Sequence, residues 1–191
     1  MSRRAFLLGA AAGATAVWAY GYLRSRFYDD DDETSSDETS SDEEEPSPQR
    51  VGAVRDDYDG DEQYKMLLIF NQELYKLSSK TGELKSVKMS PGKAAAQSGH
   101  ATLGAYRRGM RHCPNAVRDW LRIGQMKITV KCPTVQELLE LQEKCAAAGL
   151  NCYLIRDAGH TEIEPGSRTV LAVGPAPASA MDPLTRHLKP Y

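Results

Sequence analysis

The chain of 191 residues is long enough for one ordinary domain with additional segments. Its 41% hydrophobic and 26% charged residues exclude a collagen-like, a wholly disordered and a polytopic membrane protein. The net charge of -2 conceals an uneven distribution: residues 29–62 contain 16 Asp and Glu against two Arg, whereas residues 63–191 contain 18 Lys and Arg against 10 Asp and Glu. The sequence therefore predicts an acidic segment joined to a basic domain of net charge +8.

An uncharged, apolar stretch lies near the N-terminus at residues 5–23, with arginines on both sides. As a helix it would span about 28 Å, close to the hydrocarbon thickness of a bilayer. Its aromatic residues cluster towards one end, where a membrane interface favours amphipathic rings. We interpret residues 1–28 as a membrane anchor. The alternatives are a cleaved export signal and a buried helix, and the missing polar face disfavours the second.

The acidic segment at residues 29–62 contains a tandem repeat, because residues 32–36 and 37–41 have the same sequence. Such a segment cannot bury enough apolar surface to offset its chain entropy, so we predict a disordered linker. Repulsion between its carboxylates extends it. Its serines lie beside acidic residues, a context that suits an acidophilic kinase, and a plain solvated spacer is the alternative.

Residues 63–191 carry the patterns of a folded domain. The patterns predict strands at 66–70, 126–130, 152–155 and 169–173 and helices at 91–106, 115–123, 134–148 and 179–187. Ser90 and Pro91 are typical of a helix start. The order of elements predicts an α/β fold: a three-layer α/β/α domain with a small mixed, mainly parallel four-stranded sheet, in addition to the N-terminal transmembrane helix.

Several catalytic motifs are absent from the sequence. Gly92-Lys93 lacks the upstream glycine and the following hydroxyl residue of a phosphate-binding loop. A nucleophile elbow, a dinucleotide-binding glycine motif and a zinc-ligand spacing are also missing. The four cysteines have no C-x-x-C spacing, so we expect reduced, partly buried thiols, which argues against an exported, oxidised domain.

Two long stretches are specific enough to indicate a relationship. They are GKAAAQSGHA at residues 92–101 and IRDAGHTEIEPGSRTVLAVGP at residues 155–175. Together with residues 64–66 and 187–191, they resemble the type 2 peptidyl-tRNA hydrolase family of archaea and eukaryotes. The resemblance covers essentially all of the predicted domain.

This resemblance implies hydrolysis of the ester that joins a peptide to the terminal ribose of tRNA, without a metal or an organic cofactor. A membrane anchor ahead of such a domain is similar to the animal members, which implies the mitochondrial outer membrane with the domain facing the cytosol. The resemblance also implies a homodimer, for which the sequence itself shows no self-complementary surface. A basic domain suits a polyanionic partner, because phosphate contacts release counterions.

The predicted helix at residues 91–106 carries Lys93, Gln97 and His100 at spacing i, i+4 and i+7, so we expect them on one face. Lys93 lies in the first turn, where the helix dipole disfavours a cation, and this placement suggests a use. It suits a phosphate, or the oxyanion that develops from an ester carbonyl. The resemblance implies a catalytic Lys93. Gln97, Ser98 and His100 are expected to bind substrate, and an internal hydrogen bond is the alternative for His100.

Asp157 follows a predicted buried strand, at the kind of strand end where ligand sites gather in α/β sheets. The resemblance places Asp157 opposite Lys93, where it orients the lysine or accepts a proton from water. Thr161 matches the active-site threonine of the family and is expected to position water or the ester. A loop-capping carboxylate and an ordinary turn hydrogen bond are the structural alternatives. Nothing indicates a covalent intermediate, so we expect direct attack by an activated water.

Basic residues surround the first two predicted helices. The residues expected to contact tRNA are Arg107, Arg108, Arg111, Arg118, Arg122, Lys127 and Lys131. Arg168, ahead of the last predicted strand, is also expected to bind substrate. Recognition would follow the backbone and the shape of the acceptor stem more than base sequence. A solvated helix face is the alternative for each arginine taken alone.

The chain departs from the family pattern at several positions. Asn71 and Glu73 stand where the first strand of the family usually ends with Arg and Asp. His160 replaces an Arg, and Glu162 replaces a Gln. The loss of two arginines weakens the argument for phosphate binding near the site.

The loop after the first predicted strand, residues 75–89, is much longer than usual in the family. It carries four lysines, and residues 79–83 have the composition of a turn. Two interpretations follow: the loop is an added flap that contacts tRNA, or it covers the site.

We predict a membrane-tethered peptidyl-tRNA hydrolase. The alternatives are a tethered adaptor or signalling protein in which the domain binds a partner, and a tRNA-binding protein without turnover. Lys93 separates them, because hydrolysis depends on this residue and an adaptor function does not.

Overall fold

The computed structural model describes residues 53–59, 61–158 and 162–191. The anchor predicted at residues 1–28, most of the linker predicted at residues 29–62, and Thr161 lie outside these described residues. Within the described ranges, no helix has the length and apolar character needed to span a bilayer.

The domain alternates strands and helices along the chain. Its elements are β1 (Tyr64–Asn71), β2 (Leu74–Leu77), β3 (Leu84–Val87), α1 (Pro91–His112), α2 (Pro114–Arg122), β4 (Lys127–Cys132), α3 (Val135–Ala147), β5 (Cys152–Arg156), β6 (Arg168–Pro177), α4 (Ala178–Thr185) and β7 (Lys189–Pro190). The four predicted helices and the four predicted strands are all present, with shifted ends. The strands β2, β3 and β7 were not predicted.

The main sheet has five strands in the order β5-β6-β1-β4-β7. Only β1 and β4 pair in parallel within it, whereas β1 with β6, β5 with β6, and β4 with β7 are antiparallel. The prediction of a mainly parallel, four-stranded sheet was therefore wrong. A parallel pair needs a long crossover such as the α1–α2 connection between β1 and β4, whereas only residues 157–167 separate β5 from β6.

The central strand β1 is buried along its whole length. Its side chains alternate, so that Met66, Leu68 and Phe70 pack in one core with residues of α1 and α2. Leu67 and Ile69 pack in a second core with residues of α3 and α4. Helices therefore cover both faces of the sheet, which confirms the predicted layers.

The helix α1 lies close to β5 and β6 because its buried face is made of small residues. Ala94, Ala101 and Ala105 are buried there. Asn151 fixes the contact further, since its side-chain amide donates to the carbonyl of Ala105 at 2.9 Å and to that of Gly174 at 2.8 Å. This packing sets the position of the first turn of α1 relative to the end of β5.

The long loop predicted after β1 contains the β2–β3 hairpin, which forms a separate two-stranded sheet. Its turn coincides with the predicted one: Ser78 N–H donates to the Glu83 carbonyl at 2.9 Å, and Gly82 N–H donates to the Ser78 carbonyl at 2.8 Å. Gly82 has a φ of 68°, a conformation that glycine adopts without strain.

Residues 53–59 pack against the domain ahead of β1. Arg55 N–H donates to the Gly149 carbonyl at 2.8 Å. The carboxylate of Asp56 accepts from the N–H groups of Asn115 at 3.1 Å and Ala116 at 2.8 Å, at the start of α2, where a negative charge is favourable. Packed structure is thus present before residue 63.

All four cysteines are buried and have free thiols. Burial, with a smaller contribution from the carboxylate of Asp56, raises the pKa of Cys113 to about 12. At neutral pH almost none of this thiol is ionised to thiolate, so Cys113 is a poor nucleophile.

Candidate active site

Lys93 lies in the first turn of α1, where the sequence predicted it. Ser90 caps this helix, because its hydroxyl accepts from the N–H of Lys93 at 3.2 Å. The ammonium of Lys93 forms an ion pair with the carboxylate of Asp157. The side chains are only 13% and 3% exposed, respectively, so the pair is largely removed from water.

Asp157 is the first residue after β5, and its backbone is held on both sides. Its N–H donates to the Ser167 carbonyl at 2.9 Å, and its carbonyl accepts from the Gly166 N–H at 2.7 Å. The short segment before β6 therefore fixes the carboxylate opposite Lys93.

A buried network continues from this ion pair. The side-chain amide of Gln97 donates to Oδ2 of Asp157 at 2.8 Å, and its carbonyl oxygen accepts from the hydroxyl of Thr169 at 2.6 Å. Gln97 and Thr169 are both buried. Because the carboxylate of Asp157 only accepts, it orients the NH₂ group of Gln97 towards itself, and the hydroxyl of Thr169 then donates to the amide oxygen.

This arrangement holds the ammonium of Lys93 in surroundings that are largely shielded from water. A buried ion pair is costly unless further hydrogen bonds satisfy its members, and Gln97 supplies one to the carboxylate of Asp157. A fixed ammonium in such surroundings can stabilise a negative charge that develops on a substrate oxygen. A fixed carboxylate can orient that ammonium or accept a proton.

Glu162 secures the helix that carries Lys93. Its carboxylate accepts from the Ser90 N–H at 2.9 Å and from the Ser90 hydroxyl at 2.7 Å. These bonds, with smaller contributions from the charges of Lys93 and Lys76, lower the pKa of Glu162. In the sequence, Glu162 was noted only as a departure from the family pattern. In the structure, it helps to hold the start of the helix that carries Lys93.

The predicted polar face of α1 is only partly formed. Gln97 is buried beside Asp157, but His100 is exposed, because the buried stripe runs through positions 94, 97, 101 and 105. Among the described residues, His100 has no internal hydrogen bond of the kind considered for it. Ser98 is half-buried and its hydroxyl donates to the Ala94 carbonyl of its own helix at 2.9 Å.

The predicted substrate-binding arginines fall into two groups. Arg107 and Arg111 are exposed on α1. Arg108 and Arg168 are half-buried, and the buried Nε of each has no hydrogen-bond partner among the described residues. Arg168 is paired across β5–β6 with Arg156, so two like charges face each other beside Asp157.

Asn71 and Glu73 have structural partners. The Asn71 side-chain amide donates to the Arg168 carbonyl at 2.9 Å, which ties β1 to the start of β6. The Glu73 carboxylate accepts from the Val135 N–H at 2.9 Å, at the N-terminus of α3. Both departures from the family pattern are therefore accommodated by bonds that hold neighbouring elements.

Sequence reasoning missed Thr169, although it named its neighbour Arg168. No local pattern marks it, because its partner Gln97 lies 72 residues away in the chain. Thr161 and His160 lie outside the described residues. In the part of the chain that the structure describes, no group of three or more His, Cys, Asp or Glu side chains is arranged to hold a metal ion.

The fold and the site define an α/β domain with a buried lysine–aspartate pair at the end of a strand. A family model described as peptidyl-tRNA hydrolase PTH2 matches residues 64–191. The chain belongs to this peptidyl-tRNA hydrolase family, which confirms the resemblance found in the sequence.

Similar proteins have related names. The mouse protein named "Peptidyl-tRNA hydrolase 2, mitochondrial" is 41% identical over 129 residues, which cover 68% of this chain and 64% of the mouse protein. The human protein of the same name is 40% identical over 129 residues, which cover 68% and 65%. A Methanocaldococcus jannaschii protein named "Peptidyl-tRNA hydrolase" is 46% identical over 101 residues, which cover 53% and 88%. The matched region spans less than two thirds of the mammalian proteins.

Proposed function

We propose that the chain hydrolyses the ester bond of peptidyl-tRNA and releases free tRNA and peptide. The observation that carries this proposal is the buried Lys93–Asp157 pair, held by Gln97 and Thr169 within the region that matches the family. The names of the relatives in mouse, human and an archaeon support the same activity.

In the proposed reaction, a water molecule attacks the ester carbonyl carbon directly. A bond forms between that carbon and the water oxygen, the bond to the ribose oxygen breaks, and the ribose oxygen takes up a proton. Lys93 stabilises the negative charge on the carbonyl oxygen during attack. Asp157 holds the ammonium of Lys93 in place, and Oδ2 of Asp157 accepts bonds from both Lys93 and Gln97, which supports this orienting role.

The other parts of the proposed site bind and position the substrate. Thr161, four residues after Asp157, positions the attacking water or the ester. Arg168, whose Nε is buried without a partner among the described residues, contacts a phosphate of the tRNA. Gln97, Ser98 and His100 line the ester end. A second group contacts the tRNA backbone further away and consists of Arg107, Arg108 and Arg111.

The test uses the full chain with an N-blocked aminoacyl-tRNA as substrate. We expect Lys93→Ala and Asp157→Asn each to lower kcat by at least about 100-fold, as removal of one oxyanion-stabilising group does. The chain offers a matched control in the second ion pair, between Lys65 and Asp182, where Lys65 is also buried. This pair lies at the other end of β1, so Lys65→Ala and Asp182→Asn should retain kcat.

The possible results separate the functions. Turnover by the parent that survives Lys93→Ala would place the chemistry elsewhere. A parent that binds tRNA in a salt-dependent manner but releases no blocked amino acid would be a tRNA-binding protein. A parent that does neither would leave the adaptor function.

We also propose that residues 1–28 anchor the chain in a membrane, that residues 29–62 act as a linker whose part at residues 53–59 packs against the domain, and that residues 63–191 form the catalytic domain. The mammalian relatives are named mitochondrial, which supports a mitochondrial location. We place the anchor in the outer membrane with the domain facing the cytosol, as the resemblance to the animal members implies. Digestion of the domain by protease added to intact mitochondria would support this location, and protection would contradict it. A homodimer and phosphorylation of the linker serines stay predictions.

A further inference from the structure

The β2–β3 hairpin presents two lysines side by side. Lys76 pairs directly with Lys85 across the two strands, and at the base Leu74 pairs with Val87. Successive side chains in a strand alternate between faces, so Lys76 and Lys85 share a face with Leu74 and Val87. These two apolar residues pack into the core beneath α1 and α2. The lysines therefore project from the face of the hairpin that turns towards the domain.

The hairpin is joined to the segment that holds Asp157. Glu164 N–H donates to the Tyr75 carbonyl at 2.9 Å, and the Glu164 carboxylate accepts from the Leu77 N–H. Two residues further on, Gly166 N–H donates to the Asp157 carbonyl at 2.7 Å. A short, hydrogen-bonded stretch of chain thus connects β2 to the catalytic carboxylate and fixes the hairpin beside the site.

The segment at residues 162–166 contacts both the hairpin and the helix that carries Lys93. The Glu162 carboxylate accepts two hydrogen bonds from Ser90, which caps that helix, and Glu164 bonds to Tyr75 and Leu77 of β2. The charges of Lys93 and Lys76 both contribute to the lowered pKa of Glu162. The hairpin therefore lies beside the segment that supports the proposed catalytic lysine.

Two like charges directly opposite each other destabilise a hairpin, and a bound anion offsets that cost. The hairpin as a whole, residues 74–87, carries three lysines against Glu83. A phosphate group is the anion that the proposed substrate brings next to its ester.

We propose that the β2–β3 hairpin is a substrate-binding arm in which Lys76 and Lys85 contact the phosphodiester backbone at the single-stranded 3′ end of tRNA. This inference rests on the proposed function, because it takes the substrate from it. The two lysines contribute to binding and leave the chemical step to Lys93.

The experiment compares two double variants of the full chain, Lys76→Gln/Lys85→Gln and Lys144→Gln/Arg186→Gln. Both remove two positive charges, but Lys144 on α3 and Arg186 after α4 belong to the elements on the opposite face of the sheet. Measured quantities are kcat and KM with N-blocked aminoacyl-tRNA, and Kd for deacylated tRNA between 50 and 200 mM salt, a range chosen to reveal phosphate contacts.

For the hairpin variant we expect KM and Kd to rise about tenfold at low salt, with kcat within about twofold of the parent. The slope of log Kd against log salt should fall by about 1.4, since each contact with a single-stranded phosphate contributes about 0.7. The Lys144→Gln/Arg186→Gln control should keep the parent slope. Lys76→Arg/Lys85→Arg should also keep it, which separates loss of charge from loss of hairpin structure.

Three results would overturn the inference: an unchanged slope in the hairpin variant, an equal fall in the control, or a loss of kcat with KM and Kd unchanged. The binding measurement decides the inference even if the parent proves inactive, because it requires no turnover. A parent that binds tRNA without hydrolysis would therefore refute the proposed activity and leave the hairpin testable, whereas a parent that binds no tRNA would refute both.

Discussion

Thr169 anchors the buried network at the end away from Lys93. A glutamine amide can be turned in two ways, and the carboxylate of Asp157, which only accepts, favours the one that presents the NH₂ group to it. The hydroxyl of Thr169 donates to the Gln97 carbonyl oxygen at 2.6 Å and holds the side chain in that orientation. The position of the Lys93 ammonium thus depends on a hydroxyl three hydrogen bonds away from it in the network.

We expect Thr169→Val, which keeps the shape and removes the hydroxyl, to lower kcat about tenfold. The Gln97 oxygen would remain buried without its donor, so the free energy of unfolding should also fall by about 1–3 kcal/mol. Without this anchor Gln97 is held less firmly against Asp157 and Lys93 less firmly in its position, and small displacements of catalytic groups are costly. Steady-state kinetics with N-blocked aminoacyl-tRNA and urea unfolding check the two effects.

Thr185 provides the matched control. It is buried in α4, and its hydroxyl donates to the Met181 carbonyl at 2.7 Å, in the core on the other face of the sheet. Thr185→Val should leave kcat unchanged, whatever stability it loses. A normal kcat in Thr169→Val would show that the bond from Thr169 to Gln97 does not matter to the reaction.

At the scale of residues, local spacing predicted part of the site. Lys93 and Gln97 one turn apart on a helix, and Asp157 at a strand end, were all identified in the sequence, and the structure brings them together. Thr169 was not identified, because its role depends on a contact between distant parts of the chain. Spacing alone also placed His100 on this face. Spacing does not show how far the sheet covers the helix, and His100 is exposed in the structure.

At the scale of elements, the approach of α1 to β5 depends on one glycine. A Cβ atom added at Gly104 would lie 2.1 Å from the ring of Tyr153. Tyr153 is half-buried and packs against the core on the α1 side. A larger residue at position 104 would push the helix away from the strand that leads to Asp157.

We expect Gly104→Ala to destabilise the domain by about 1–3 kcal/mol, the usual cost of overpacking. Gly99 lies in the same helix, and nothing lies within 4 Å of a Cβ added there. Gly99→Ala should therefore stabilise the domain by about 0.5–1 kcal/mol through helix propensity. Urea unfolding of both variants checks these two expectations. A Gly104→Ala variant that is more stable than the parent would mean that the Tyr153 ring moves aside without any loss of stability.

Elements with strong periodicity were predictable from the sequence, whereas their pairing was not. β1 is a continuous apolar run, and α1 and α3 carry caps and buried stripes, so these were located correctly. β7 has two residues and β2–β3 is largely exposed, so neither has a hydrophobic signature. The direction of β6 beside β1 depends on contacts about a hundred residues apart in the chain, which periodicity does not encode.

At the scale of the whole molecule, the excess of positive charge after residue 62 favours a polyanionic partner. The exposed arginines of α1 are the natural long-range contacts, because a solvated guanidinium is free to bind phosphate. Arg107 and Arg111 are exposed, whereas the Nε of Arg108 is buried. Removal of the two exposed charges therefore tests contact with tRNA without disturbing the packing of the helix.

We expect Arg107→Gln/Arg111→Gln in the full chain to weaken binding of deacylated tRNA and of N-blocked aminoacyl-tRNA by the same factor. If both arginines contact duplex phosphates, the slope of log Kd against log salt should fall by about 1.8, and kcat should stay at the parent value. Lys144→Gln/Arg186→Gln again serves as the charge-matched control and should keep the parent slope. Equal slopes in parent and Arg107→Gln/Arg111→Gln would mean that this side of α1 is a solvated face and that the tRNA approaches the site from the hairpin alone.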